Sequence, residues 1–238
     1  MHKHAKIEQE LLNQIQNGTL CAGDKLETEE ELAKRFSVSR PTVRQALNSL
    51  EQSGYLSRVK GSGTFVTEPK LLHTSTSFIA SYRKEAEQQG HSVLTTVVER
   101  DTVQADEFLA EKLEIRRGMP VQKLARIRRI KECHHQAPVV FTIVYVPTVR
   151  FPEMGAQDYE NASFYETLEK HGLKVCHVSR MLEVSAPSKE VQEMLEIGPW
   201  EPVIFVTSVG YLKNGEAIEY AESYYPASNS KFLIELQR

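Results

Sequence analysis

Residues 37–47, SVSRPTVRQAL, run from a tight turn into a helix, and their reading decides the fold of the first third of the chain. Ser39 is placed as an N-cap, able to accept from the amides of the next turn. Pro41 falls in that first turn, where a missing N–H costs nothing. Val43, Ala46, Leu47 and Leu50 form one apolar stripe, which leaves Arg40, Thr42, Arg44 and Gln45 mostly on other faces. A helix that opens with Ser, Arg, Thr and Arg presents amides, a positive dipole end and two guanidinium groups. Those are what phosphate oxygens and guanine edges bind.

Working outward, the neighbouring segments supply what such a helix needs. Upstream, Thr28 and Glu31 have the capping-box spacing, and Leu32, Ala33 and Phe36 give a short helix its buried face. Two short helices joined by a tight turn match the helix-turn-helix reader of DNA. Further upstream, Ile7, Leu11, Leu12 and Ile15 predict a first helix that stops at Asn17–Gly18, and CAGDKL predicts a turn. Downstream, GYLSRVKGSGTFV predicts a β-hairpin wing with KGSG at its turn. Lys60, with the backbone of Gly61 and Gly63, is placed to approach phosphate there, because glycine has no Cβ in the way. GSGT is a poor nucleotide loop, since it lacks the GK[ST] ending and a following helix.

Charge is distributed to match. The 238 residues have net charge -3, yet residues 34–66 hold six Lys/Arg against one Glu. Local potential counts for more than the total, because the Debye length in salt is about 8–10 Å. No run approaches the roughly 20 apolar residues of a membrane span, and the polar N-terminus is no signal peptide. Cys21, Cys133 and Cys176 are odd in number and far apart, which suggests neither a disulfide framework nor a zinc site. The expectation is a cytoplasmic protein.

The run GDKLETEEELAKRFSVSRPTVRQALNSLEQSGYLSRVKGSGTFV resembles the winged helix-turn-helix of GntR-family bacterial transcription regulators. Carried over position by position, the resemblance implies DNA contacts at Ser39, Arg40, Thr42, Arg44, Lys60 and Gly61. One departure stands out: the family commonly has Arg or Asn where this chain has Glu30. A carboxylate there repels phosphate and bears on operator preference.

The expected boundaries are a DNA-binding domain at 1–67, a linker at 68–76 and a second domain at 77–238. The linker has a proline and no periodicity. After a helix in FIASYRKEAEQQG, short strands alternate with short helices. Two blocks are alike: LEIRRGMPV at 113–121 and LEIGPWEPV at 195–203, each followed by a strand, a turn and a second strand ending in proline. A unit used twice predicts one antiparallel sheet with approximate two-fold symmetry and a cleft, in the α+β class.

This second part resembles the UTRA effector domain of the HutC-type GntR branch, a mixed α/β fold shared with chorismate lyase and built on a mainly antiparallel sheet. The resemblance implies an effector site at Ser77 and Phe78, Arg126 and Arg128, Ser163 and Tyr165, and Glu219 and Tyr225. The chemistry agrees for an anion, since residues i and i+2 of a strand share a face and Arg126 and Arg128 can converge on one phosphate or carboxylate. The chain departs from sugar-phosphate sensors at Thr142, where they carry a carboxylate, and at 225–230, YPASNS.

Other chemistry finds little support. His134–His135 in a turn and His2 and His4 at the terminus read as solvated. Cys176 and His177 are adjacent on a strand and so face opposite ways, unlike a nucleophile and its base. Glu99 and Asp101 share a face without other glycosidase features. The expectation is a non-enzymatic, homodimeric regulator, a repressor, without cofactor or metal. It binds double-stranded operator DNA and a small anionic effector, either a phosphorylated sugar or a small acid. The alternatives are an enzyme of chorismate lyase-like fold acting on a small acid, and a regulator sensing a carboxylate or fatty acid.

Overall fold

The structure, a computed structural model, describes residues 3–67, 71–73, 82–89, 91–130 and 137–234. The described residues form two compact units, one up to Thr67 and one from Leu71 onward.

In the first unit, helices α1 (Lys3–Gln16), α2 (Glu29–Phe36) and α3 (Arg40–Gln52) are followed by strands β1 (Leu56–Val59) and β2 (Gly63–Val66). The apolar stripes meet in one core made by Ile7, Leu11, Leu32, Val43, Leu47 and Leu50, closed by Leu56 and Val66 of the wing. The Thr28 capping box is present in full: its side chain accepts from the Glu31 amide while the Glu31 carboxylate accepts from the Thr28 amide. Ser37 ends α2 in the left-handed conformation and makes the tight turn into α3. The segment read as a turn also extends the wing, with Lys25 bridged to Phe65 and the Leu26 amide donating to Thr64.

Ser39 departs from expectation. It stands at the N-cap of α3, but its side chain bonds no helix amide. The amides of Thr42 and Val43 go to its backbone carbonyl instead, and its hydroxyl pairs with Thr42 Oγ1 at 2.9 Å.

The second unit runs β3 (Leu71–His73), α4 (Tyr82–Gln88), β4 (Val93–Gln104), α5 (Glu107–Lys112), β5 (Pro120–Ile130) and β6 (Pro138–Pro147). It continues through a 3-10 turn (Pro152–Ala156), α6 (Phe164–Lys170), β7 (Val175–Ser185) and α7 (Lys189–Leu195) to β8 (Val203–Leu212), β9 (Ala217–Pro226) and β10 (Ser230–Phe232). Six strands form one sheet in the order β4-β5-β6-β9-β8-β7, antiparallel throughout. Its halves, β4-α5-β5-β6 and β7-α7-β8-β9, are the repeat seen in the sequence, joined along β6 and β9. The two LEI segments behave alike: Leu113 and Leu195 are buried, and Glu114 and Glu196 both take positive φ, at 51° and 56°. Each left-handed residue ends its helix and turns the chain toward the next strand.

Leu71–His73 corrects the linker boundary. The sequence placed these residues in the linker, but they pair in parallel with Ser230–Phe232 and bury Leu71 and His73. A three-residue strand shows too few alternations to be read as periodic. Ser77 and Phe78, the expected amide-bearing loop, lie outside the described residues, as do Cys133, His134 and His135.

Thr28→Ala removes the acceptor for the Glu31 amide and should destabilise α2 by about 1 kcal/mol. Hydrogen exchange of the α2 amides should then quicken roughly fivefold while α1 amides keep their rates; unchanged α2 rates contradict the cap's role.

Candidate functional site

Two assemblies carry chemistry, one in each unit. In the first, α3 and the wing present the residues singled out in the sequence. Arg40 and Arg44 are exposed along the opening turns of α3 with Thr42 half-buried between them, and Lys60 and Gly61 are exposed at the wing tip. Gly61 takes φ 79° in that turn, a conformation that disfavours any side chain. The arginines are not bare. Glu29 accepts from Arg44 at two points, Nε at 3.0 Å and Nη2 at 2.6 Å, and this pairing holds the Glu29 carboxyl below its usual pKa range. Glu30 contacts Arg40 and lies 3.2 Å from Lys34.

In the second unit, a cavity opens on the sheet face covered by α6. Strand register explains who lines it. Arg126 on β5 pairs with Thr142 on β6, Thr142 with Ser223 on β9, Ser223 with Val206 on β8, and Val206 with Leu182 on β7. All five line the cavity, a single row across five strands. Arg128, two residues along β5, lines it too, as the shared strand face requires.

The two guanidinium groups are buried side by side. Arg126 is 3% exposed, and burial holds its pKa well below the usual value, with Arg128 adding repulsion. Its Nε has no hydrogen-bond partner, and neither arginine forms an ion pair among the described residues. Aromatic rings receive the charges: Arg126 lies over Tyr159 and Phe164 at 5.6 and 5.7 Å from their centroids, and Arg128 over Tyr82 at 5.3 Å. Such contacts ease the burial of a cation but leave its N–H groups unsaturated. Arg128 Nη1 donates to Thr142 Oγ1 at 3.0 Å, so the residue standing where sugar-phosphate sensors have a carboxylate is a neutral acceptor.

A second polar group stands on β9. Glu219 is 1% exposed, and the Tyr165 hydroxyl donates to its Oε1 at 2.5 Å. Burial pushes the Glu219 carboxyl up to about 7, with the Tyr165 bond and the nearby Arg180 and Arg126 opposing that rise. Gly210 on β8, the register partner of Glu219, is there for space: a Cβ would lie 2.8 Å from the Glu219 side chain. Ser163 lines the cavity as well, but its hydroxyl caps α6 by accepting from the Glu166 amide at 3.4 Å. The long cap bond leaves the hydroxyl proton available to a further acceptor. Tyr225 lines the wall, and its ring lies 4.6 Å from that of His73 on β3.

The structure therefore gathers Arg126, Arg128, Ser163, Tyr165, Glu219 and Tyr225 at one cavity. It also adds residues that the sequence reading missed. Arg180 lines the same cavity from β7, where Val178, Arg180 and Leu182 alternate inward; that alternation was a usable signal. Tyr82 gave none, because α4 is short and its spacing does not tell which face meets the sheet. Glu85, also from α4, lines the cavity and lies 3.9 Å from the buried His73. Among the described residues no His, Cys, Asp and Glu group is arranged to hold a metal, and no helix is long and apolar enough to cross a membrane.

Comparison with known proteins places both units. The family of bacterial regulatory proteins called gntR matches residues 3–66, and the UTRA domain family matches residues 88–231. The HTH-type transcriptional repressor NagR of Bacillus subtilis is 29% identical over 98% of this chain and 94% of its own. The mannosyl-D-glycerate transport/metabolism system repressor MngR of Escherichia coli is 27% identical over 99% of this chain and 96% of its own. The crystal structure of PhnF from Mycobacterium smegmatis superposes with a TM-score of 0.81 at 26% identity, covering 97% of this chain and 99% of that one.

Glu219 also gives a pH prediction. Its folded-state pKa lies above the ordinary 4.5, so its contribution to stability is present below that value and is lost as pH rises through about 7. Compared with Glu219→Gln, the wild type should lose about 3 kcal/mol of unfolding free energy between pH 5 and 8, measured by urea titration. Parallel stability curves would show that burial does not hold this carboxyl protonated.

Proposed function

The chain belongs to the GntR family of bacterial regulatory proteins, in the HutC-type branch that carries a UTRA domain, and on that premise we propose that it is a repressor released from its operator by a small phosphorylated sugar derivative. It is a ligand-responsive DNA-binding transcription regulator, as its relatives are. The family members are regulators, so the lyase-like enzyme alternative is set aside.

The observation that carries the effector class is the buried Arg126–Arg128 pair with an unpartnered Arg126 Nε. Two adjacent cations that form no ion pair among the described residues call for a compact anion with several acceptor oxygens, which a phosphate supplies. At the other polar group, the Glu219–Tyr165 pair and Arg180 suit hydroxyl or amine substituents of the same ligand. The polar walls speak against a fatty acyl chain. Names of relatives point the same way: MngR is named for mannosyl-D-glycerate, and the fructoselysine repressors of Escherichia coli for a sugar-derived compound.

In this reading Ser39, Arg40, Thr42, Arg44, Lys60 and Gly61 face the operator in each of two subunits. A homodimer presents two such readers to half-sites about one helical turn or a multiple apart. Effector and operator binding oppose each other by about 1–3 kcal/mol, reciprocally.

Thermal-shift titration with hexose 6-phosphates and the corresponding uronic acids tests the proposal. The phosphates should raise the melting temperature more, and Arg128→Ala should abolish the shift and the effector's release of DNA while operator affinity stays unchanged. A full response in Arg128→Ala places the effector elsewhere.

A further inference from the structure

The reader's cations are held by acids of the same unit. Glu30, at the start of α2, contacts Arg40 at the start of α3 and lies 3.2 Å from Lys34 one turn along its own helix. Glu29 takes Arg44, Glu27 contacts Arg35, and Glu51 lies 3.4 Å from Arg58. Of the six cations between residues 34 and 66, five are therefore paired, and Lys60 at the wing tip forms no ion pair among the described residues. The net +5 of that segment falls to +2 once the acids that pair with these cations are counted.

The two acids that face α3 differ. Glu29 is 28% exposed and grips Arg44 at two points, a geometry that orients the guanidinium. Glu30 is 52% exposed and serves two cations, both more exposed than itself. Exposed pairs of this kind are weak and exchange partners readily. A phosphate that approaches Arg40 must displace Glu30 and then lie beside its carboxylate.

We propose that Glu30 is a specificity-determining residue of the DNA reader, because it withholds Arg40 and Lys34 from the phosphates of arbitrary duplexes. Affinity for non-cognate DNA comes almost wholly from phosphate contacts and counterion release. Engaging these cations therefore lowers that background directly. A cognate site, where base contacts fix the register of α3, holds phosphates long enough for the exchange to occur. The inference rests on α3 being the DNA-reading helix, and it concerns discrimination rather than binding as such.

Fluorescence anisotropy of the full-length protein tests it with two labelled duplexes, one of random sequence and one recovered by selection from a randomised pool. Glu30→Gln should bind the random duplex roughly threefold to tenfold more tightly at low salt, and its log affinity should fall with log salt more steeply by about one. The selected duplex should gain less, so the ratio of the two affinities drops. Glu30→Ala, which removes the charge without adding a donor, should behave alike. In Glu30→Gln combined with Arg40→Gln and Lys34→Gln the extra slope should disappear. Glu10→Gln, a charge removal on α1 away from these pairs, should change neither quantity. Unchanged random-duplex affinity and slope in both Glu30 variants overturns the proposal, and so does an equal gain in Glu10→Gln, which would reduce the effect to net charge. Failure of the wild type to bind either duplex would instead overturn the DNA reading itself.

Discussion

Two guanidinium groups, Arg126 and Arg128, lie buried next to each other on one face of a six-stranded sheet, and the second unit is organised around that fact. Isolated charges resist removal from water, and two like charges in one place resist it more. The surroundings offset this only in part: ring faces from Tyr82, Tyr159 and Phe164, and one hydroxyl from Thr142. Salt bridges to both arginines would satisfy them permanently and leave nothing for a ligand. Among the described residues there is none, and Arg126 Nε stays without a hydrogen-bond partner, which the proposed anion would supply.

The doubled β-α-β-β scaffold makes that placement possible. Antiparallel register carries a row of side chains from Arg126 to Leu182 across five strands, while α5 and α7 cover the opposite face with Leu113, Val191 and Leu195. The repeated LEI turns, each with a left-handed glutamate, hold these helices against the sheet. The first unit treats its cations in the opposite way. There Arg40 and Arg44 are exposed and matched by Glu30 and Glu29 of α2, so on our proposal attraction to DNA is tempered before any DNA arrives. Among the described residues Arg126 and Arg128 are buried without an ion pair, while Arg40 and Arg44 are exposed and paired.

Much of this was legible in the chain. The reader's helices, its capping box and its wing follow from spacing alone, because a single small core imposes strict periodicity on 43, 46, 47 and 50. Arg126 and Arg128 were found through family likeness, with which their shared strand face at i and i+2 agrees, and the repeat foretold the halves of the sheet. Glu219 was found through family likeness, since no local pattern sets a buried carboxylate in AIEYA apart from an exposed one. What escaped depends on contacts distant in sequence. Tyr82 reaches the cavity only through helix orientation, and Leu71–His73 became a strand only because Ser230–Phe232 lies beside it. The pairing of Glu30 with Arg40 was hidden for the same reason: a charge count along residues 34–66 omits acids a few positions earlier that the fold brings back.

The claim at the centre of this account is that Arg126 has an unsatisfied donor waiting for an anion. The Nε–Hε resonance of Arg126, followed by proton–nitrogen NMR of the full-length protein during titration with glucose 6-phosphate, reports on that donor directly. A saturable downfield proton shift on binding, lost in Arg128→Ala, is the result the account predicts. A ligand that binds with the Arg126 Nε–Hε resonance unmoved would contradict it.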